Sequence, residues 1–214
     1  LLSLPTSLLM MILSQDIMRV LFKWGELSES DVLYGGACLF AYASALIFAS
    51  MIALLNRAFY SVHDSKTPLL CGVAGIVANY VFNWFFRSFT PLSIAGTALA
   101  YSMSSFVNMS LLVSAFNRKT GIHVIYDNGR YALRALFAAI PSGLAAMVIG
   151  ALIRPDITSK LSQIVCLAVP LAAGFFLFWY LCMKIRIPEI EIVNNMVLSG
   201  FRKVGAMFGR RAAR

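Results

Sequence analysis

Asn79 and Asn83 stand four residues apart in PLLCGVAGIVANYVFNWFFRS, and Thr97, Tyr101, Ser104 and Asn108 recur at spacings of 4, 3 and 4 in SIAGTALAYSMSSFVNMS. On a helix, either spacing puts the side chains on one face. An amide has two donors and one acceptor oxygen, and all of them need partners when hydrocarbon surrounds them. The chemistry these residues suit is non-covalent: lining a wet cavity or holding an ion. The plainer reading is interhelical glue at about 0.6 kcal/mol per hydrogen bond, which serves the serines equally well.

Two cations are the charged candidates. Arg57 closes an apolar stretch one heptad after Ser50, and Lys66 follows in the polar turn SVHDSKTP. Arg57 can snorkel to phosphate headgroups. It can equally, with Lys66, present positive charge to an anionic substrate headgroup, because the guanidinium fork donates two parallel hydrogen bonds to phosphate. No His-Glu zinc motif, Ser-His pairing or carboxylate dyad appears in the apolar stretches, so the chain does not read as an enzyme. Cys38, Cys71, Cys166 and Cys182 have no metal-ligand spacing and read as packing residues; His63 and His123 read as ordinary loop residues.

The elements that position these groups follow from composition. Of 214 residues, 60% are hydrophobic and 13% charged, which places the chain in the polytopic membrane class. A helical span takes about 20 apolar residues. Six stretches qualify, at about 1–22, 32–56, 69–86, 93–116, 131–153 and 161–183. They lack the alternation of barrel strands, so the expected fold is an all-α transmembrane bundle. Thirteen Lys and Arg fall on one side of these spans (Arg57, Lys66, Arg118, Lys119, Arg130, Arg134 and seven from Lys184 onward) and five on the other. That bias predicts both ends in the cytoplasm. The net charge of +9 then reflects topology and attraction to anionic lipids, with no nucleic-acid role.

The spans differ in character. The third and fourth, joined by a short external loop, should be antiparallel neighbours with facing polar stripes. The fifth and sixth have almost no strong polar group inside, and Pro141 and Pro170 should kink them. They suit lipid tails. The expected organisation is a four-helix part over 1–116, a connection over 117–130, an apolar pair over 131–183 and a basic tail over 184–214. In that tail Ile190, Val193, Val197, Phe201, Val204 and Phe208 are spaced for an amphipathic helix on the cytoplasmic leaflet. The chain opens LLSLPTSLLMM, already inside an apolar run, and reads as the C-terminal portion of a longer protein.

The run NRAFYSVHDSKTP resembles a motif of the MurJ (MviN) lipid II flippases, of the multidrug/oligosaccharidyl-lipid/polysaccharide exporter superfamily. The pattern R-x-F-Y-(S/A)-x-x-D-x-K-T-P is matched by Arg57, Phe59, Tyr60, Ser61, Asp64, Lys66, Thr67 and Pro68. LPTSLLMMILSQDIMRVLFKWGELSESD and GTALAYSMSSFVNMSLL look like flanking helices of that family, and the resemblance covers about residues 1–185. It implies helices nine to fourteen of a fourteen-helix, two-lobe flippase in the bacterial cytoplasmic membrane. The implied substrate is lipid II, undecaprenyl-pyrophosphate carrying a disaccharide-peptide, moved by alternating access. The implied partner is a missing N-terminal lobe. No cofactor is expected, with sodium or the membrane potential as candidate energy sources. Some members bind sodium through Asn and Asp four residues apart plus a Thr. Here Asn79 fits, Asn83 replaces the acid and Thr97 matches approximately, so a sodium site should be weak. The competing readings are an exporter of another lipid-linked oligosaccharide or of drugs, and a prenyl-lipid-binding scaffold.

Overall fold

A computed structural model describes residues 2–22, 28–90, 93–121, 124–153 and 160–185, without the side chains of a few residues in and beside the last three segments. Every element among the described residues is a helix: α1 (Ser3–Ile12), α2 (Ser14–Phe22), α3 (Glu29–Ser61), α4 (Lys66–Phe89), α5 (Ser93–Thr120), α6 (Val124–Leu152) and α7 (Lys160–Lys184). Five of them are long and apolar enough to cross a membrane, or six if α1 and α2 count as one span. The tail helix expected beyond residue 185, and His123, lie outside the described residues.

One expectation needs correction. Residues 1–22 are not one straight helix. The chain leaves helical geometry at Leu13 (φ −95°, ψ 14°), and α2 departs from α1 by 71°. The polar run Ser14-Gln15-Asp16 interrupts the apolar sequence just there. Arg19 on α2 reaches Asp16 at 3.7 Å and Glu29 of α3 at 3.5 Å, which ties the bent segment to the start of the next helix.

The third helix is longer than the apolar run that announces it. It begins at a capping box: the Ser28 N–H donates to Asp31 Oδ2 at 3.0 Å, and the Asp31 N–H donates to Ser28 Oγ at 3.3 Å. It ends 33 residues later, about 50 Å at 1.5 Å per residue. Asn56, Arg57, Phe59 and Tyr60 therefore belong to its last turns and not to a loop. The stop is a Schellman motif, with the Asp64 N–H on Phe59 O at 3.0 Å and the His63 N–H on Tyr60 O at 3.0 Å. His63 takes the left-handed position, φ 59°, where glycine is the usual occupant. Most of the expected connection 117–130 is also helical: α5 runs to Thr120, Gly121 turns at φ 72°, and α6 starts at Val124. The last two helices continue through Pro141 and Pro170.

Packing divides the molecule into two groups. In one, α5 lies against both α3 and α4. Its core is Leu55 and Phe59 from α3 with Leu112 and Val113 from α5, and Phe59 meets Phe116 edge-on at 5.6 Å. In the other, α6 and α7 pack through Ala135, Ala138, Ala139, Phe178 and Cys182. Among the described residues these groups touch directly only where α5 passes into α6; otherwise α1 and α2 join them. Leu4 and Leu8 pack on the α6–α7 core, while the Ser7 hydroxyl donates to Ala43 O of α3 at 2.6 Å.

That joint is seated on glycines. A Cβ built on Gly36 would meet Gln15 Cγ at 2.9 Å, one on Gly35 Met18 Cε at 2.4 Å, one on Gly143 Ile12 Cδ1 at 2.6 Å and one on Gly174 Leu9 Cδ2 at 2.6 Å. Missing side chains on three helices thus make room for the bent one.

Candidate functional site

Three helices build a crevice of about 450 Å³ with a mixed polar and apolar lining. The α3 wall ends its stripe of Ala49, Ile52 and Ala53 in Asn56; α4 contributes Gly72, Gly75 and Asn79; α5 contributes Tyr101, Ser104, Ser105 and Asn108. The expected facing of the third and fourth polar stripes is present as one hydrogen bond between α4 and α5, extended along α4 by an Asn pair. Asn79 Nδ2 donates to Ser104 Oγ at 3.2 Å, and Asn83 Nδ2 donates to Asn79 Oδ1 and to the Asn79 carbonyl, each at 3.0 Å. The close approach of α4 to α5 depends on Gly75, whose absent Cβ would sit 3.0 Å from Asn108 Cβ.

Two atoms break the satisfaction of this interior. Asn56 Oδ1 and Asn108 Oδ1 are buried without a hydrogen-bond partner. An unpaired buried acceptor costs about 1–3 kcal/mol.

The sequence candidates do not form one site. Asn83 and Thr97 line a second cavity of about 500 Å³ toward the other end of α4, together with Tyr80, Trp84 and Arg87. Asn79, Tyr101, Ser104 and Asn108 share the first. Arg57 and Lys66 are exposed and line neither. Of the residues offered for sodium, Asn83 and Thr97 share the second cavity and Asn79 lines the first. Asn79 Oδ1 accepts from Asn83 Nδ2 at 3.0 Å.

The motif residues have a structural task. Phe59 is fully buried and Pro68 is buried, whereas Tyr60 is exposed. Asp64 holds the first turn of α4, accepting from the Lys66 and Thr67 N–H groups at 3.1 Å each and from Thr67 Oγ1 at 2.6 Å. Lys119 at the end of α5 reaches its other face, Nζ to Oδ2 2.5 Å. The Lys119 ammonium, and then Thr67, hold the Asp64 carboxyl well below the usual carboxylate range. The turn thereby fastens the ends of α3, α4 and α5 together.

A groove of opposite chemistry lies between α1 and α7. It encloses about 350 Å³ among Leu9, Met10, Leu171, Ala172, Phe175 and Phe176, with Thr6 at its edge. Sequence reasoning anticipated the apolar character of α7 but not the α1 wall. It also missed Asn56, although the spacing of Ala49, Ile52, Ala53 and Asn56 marks one helical face.

Comparison with known proteins bears on this arrangement. The family model described as "Lipid II flippase MurJ" matches residues 1–167. A "Probable lipid II flippase MurJ" of Vibrio cholerae is 34% identical over 143 residues, covering 66% of this chain and 27% of the relative. Its counterpart in Aquifex aeolicus is 25% identical over 192 residues, 90% of this chain and 36% of the relative. The chain thus spans about a quarter to a third of the length of these relatives. A solved structure titled "Lipid II flippase MurJ, inward closed conformation" aligns with a TM-score of 0.61 at 17% identity, over 86% of this chain and 36% of that one, and so shares the fold. By the extent of the family match, with the helical architecture in agreement, this chain belongs to the lipid II flippase MurJ family.

Proposed function

We propose that this chain is part of the transport machinery of a lipid II flippase in the bacterial cytoplasmic membrane, with its ends on the cytoplasmic side. The observation that carries the reading is the pairing of two different surfaces in one small bundle: a crevice in α3–α5 that sets three amides and three hydroxyls among small and apolar residues, and a nearly all-carbon groove between α1 and α7. An amphiphile with a sugar-pyrophosphate head and a prenyl tail needs both. The head must be screened from hydrocarbon, where each unpaired polar group costs several kcal/mol, whereas the tail stays in an oily environment throughout. No covalent step is required. The functional division follows the same line: α3–α5 of the four-helix part serve the head, α1 joins the apolar pair over 131–183 to serve the tail, and the rest of the cavity is supplied by a further lobe such as the longer relatives have room for. Rocking of lobes around the cavity would alternate access. The excess of Lys and Arg on the proposed cytoplasmic side sets the orientation and draws anionic lipid to that face. No step is assigned to sodium.

The test is a chimera in which this chain replaces its counterpart in the Vibrio cholerae relative, expressed in cells depleted of their own flippase. Restored growth, with precursor reaching the outer leaflet, is the expected result. A chimera that inserts stably while precursor accumulates inside overturns the proposal.

A further inference from the structure

We infer that the α3–α5 crevice is a subsite for the uncharged, hydrogen-bonding part of the transported headgroup, its sugar hydroxyls and amide groups, and that Asn56 and Asn108 set this preference. The inference rests on the transport function proposed above and goes beyond it by assigning the crevice a ligand chemistry. Three observations select that chemistry. First, no Lys or Arg lines the crevice. Pyrophosphate therefore has no counter-charge there, and the nearest motif cation in sequence, Arg57, is exposed. Second, no carboxylate lines it either, so a hard cation would have only neutral oxygens to choose from. Third, two whole amides have unmet capacity: Asn56 of α3 and Asn108 of α5 both line the crevice, and the Oδ1 of each is buried without a donor, which leaves each side chain able to accept and to donate.

What satisfies an orphaned amide oxygen in hydrocarbon is an O–H or N–H. A disaccharide carrying N-acetyl and peptide groups brings many of both. In the structure the two oxygens are closed off from solvent, so a ligand reaches them as the walls part. On α4 the crevice wall alternates Gly72, over which a Cβ would find open space, and Gly75, pressed against Asn108, with Ile76 and Asn79, so that opening it means parting the Asn79–Ser104 bond. The empty state then carries two unpaired acceptors that the loaded state pairs. The difference favours opening with ligand over opening without it, which is the differential affinity any ligand-driven change requires.

The experiment uses the chain in nanodiscs of anionic phospholipid, with thermal stability read against three probes at matched ionic strength. They are a soluble N-acetylglucosaminyl-N-acetylmuramyl dipeptide, inorganic pyrophosphate and sodium chloride. The expected result is stabilisation by the muropeptide alone. Asn56→Leu and Asn108→Leu should each weaken its apparent affinity about tenfold. They should also raise the melting temperature without ligand by about 2 °C or more, since an apolar isostere removes the orphaned oxygen. A residue that merely holds the fold would lower that temperature. If a leucine variant fails to insert, Asn108→Ala serves the same comparison of affinities. Stabilisation by pyrophosphate or sodium that disappears in the same variants overturns the inference, as does muropeptide binding that survives both substitutions or is absent from the parent chain. The chimera separates the two proposals. If it exports precursor while these binding results fail, only the subsite is lost; if it exports nothing, the transport reading fails on its own.

Discussion

The α3–α5 group and the α6–α7 pair solve the same problem, holding helices together where no water drives them, by different means. In the first, hydroxyls and amides cross between helices. Ser102 donates to Ala41 O, Asn79 to Ser104, and large side chains such as Phe59, Phe116 and Leu112 fill the remainder. In the second, α6 lays down Ala135, Ala138, Ala139, Ser142, Gly143 and Ala146, a buried strip of small residues at spacings of three and one, and α7 closes on it. Small residues let backbones approach and gain dispersion without polar groups. The difference has a functional reading: a group held together by hydrogen bonds can exchange partners with a polar ligand, whereas one held by close-packed carbon cannot.

The contrast can be broken at its strongest point. Phe59→Ala should cost about 3–5 kcal/mol, because its ring is fully buried. Tyr60→Ala, beside it in the motif but exposed, should cost almost nothing. Thermal unfolding in micelles checks both, and equal effects would mean that the motif is not anchored through Phe59. In the second group, Gly174→Ala should cost about 1–3 kcal/mol. Its Cβ would meet Leu9 Cδ2 at 2.6 Å, Ala146 Cβ at 3.1 Å and the Ser142 carbonyl at 3.2 Å, and a backbone atom cannot swing aside. Gly143→Ala should be milder, since only the flexible tip of Ile12 is in the way.

Smaller effects sharpen the picture at the turn. His63→Gly should stabilise by about 1 kcal/mol by relieving the left-handed position, and His63→Val should destabilise; the same unfolding measurement decides. The least effect is a pH dependence. The Asp64 carboxyl is held below its unfolded value, so its contribution is fully present above the ordinary carboxylate pKa and is lost as pH falls through the depressed folded one. Lys119→Ala should return the Asp64 titration toward the ordinary range, read by carboxyl carbon NMR.

Much of this was legible in the sequence. Helical class, the long apolar spans and the pairing of the third and fourth polar stripes follow from hydropathy and a spacing of three and four. The break at Leu13 was not legible, because hydropathy averages across a single residue that leaves the helix. The extension of α3 was hidden for a related reason. Its last turns lie beyond the apolar run, and a helix continues as far as its caps allow and not as far as its hydrophobicity. The split of the polar candidates between two cavities depends on helix rotation, which spacing on one helix does not determine. Asp64 was legible as a motif residue but not as a clamp, because its partner, Lys119, stands 55 residues away in the sequence.

The bent segment nested in the notches of Gly35, Gly36, Gly143 and Gly174 works as a tie rod between two bodies that scarcely touch otherwise. Any tilt of the polar group must pull on α7 through that rod, and the oily groove has the rod itself as one wall. The widths of the crevice and of the groove would therefore change in step.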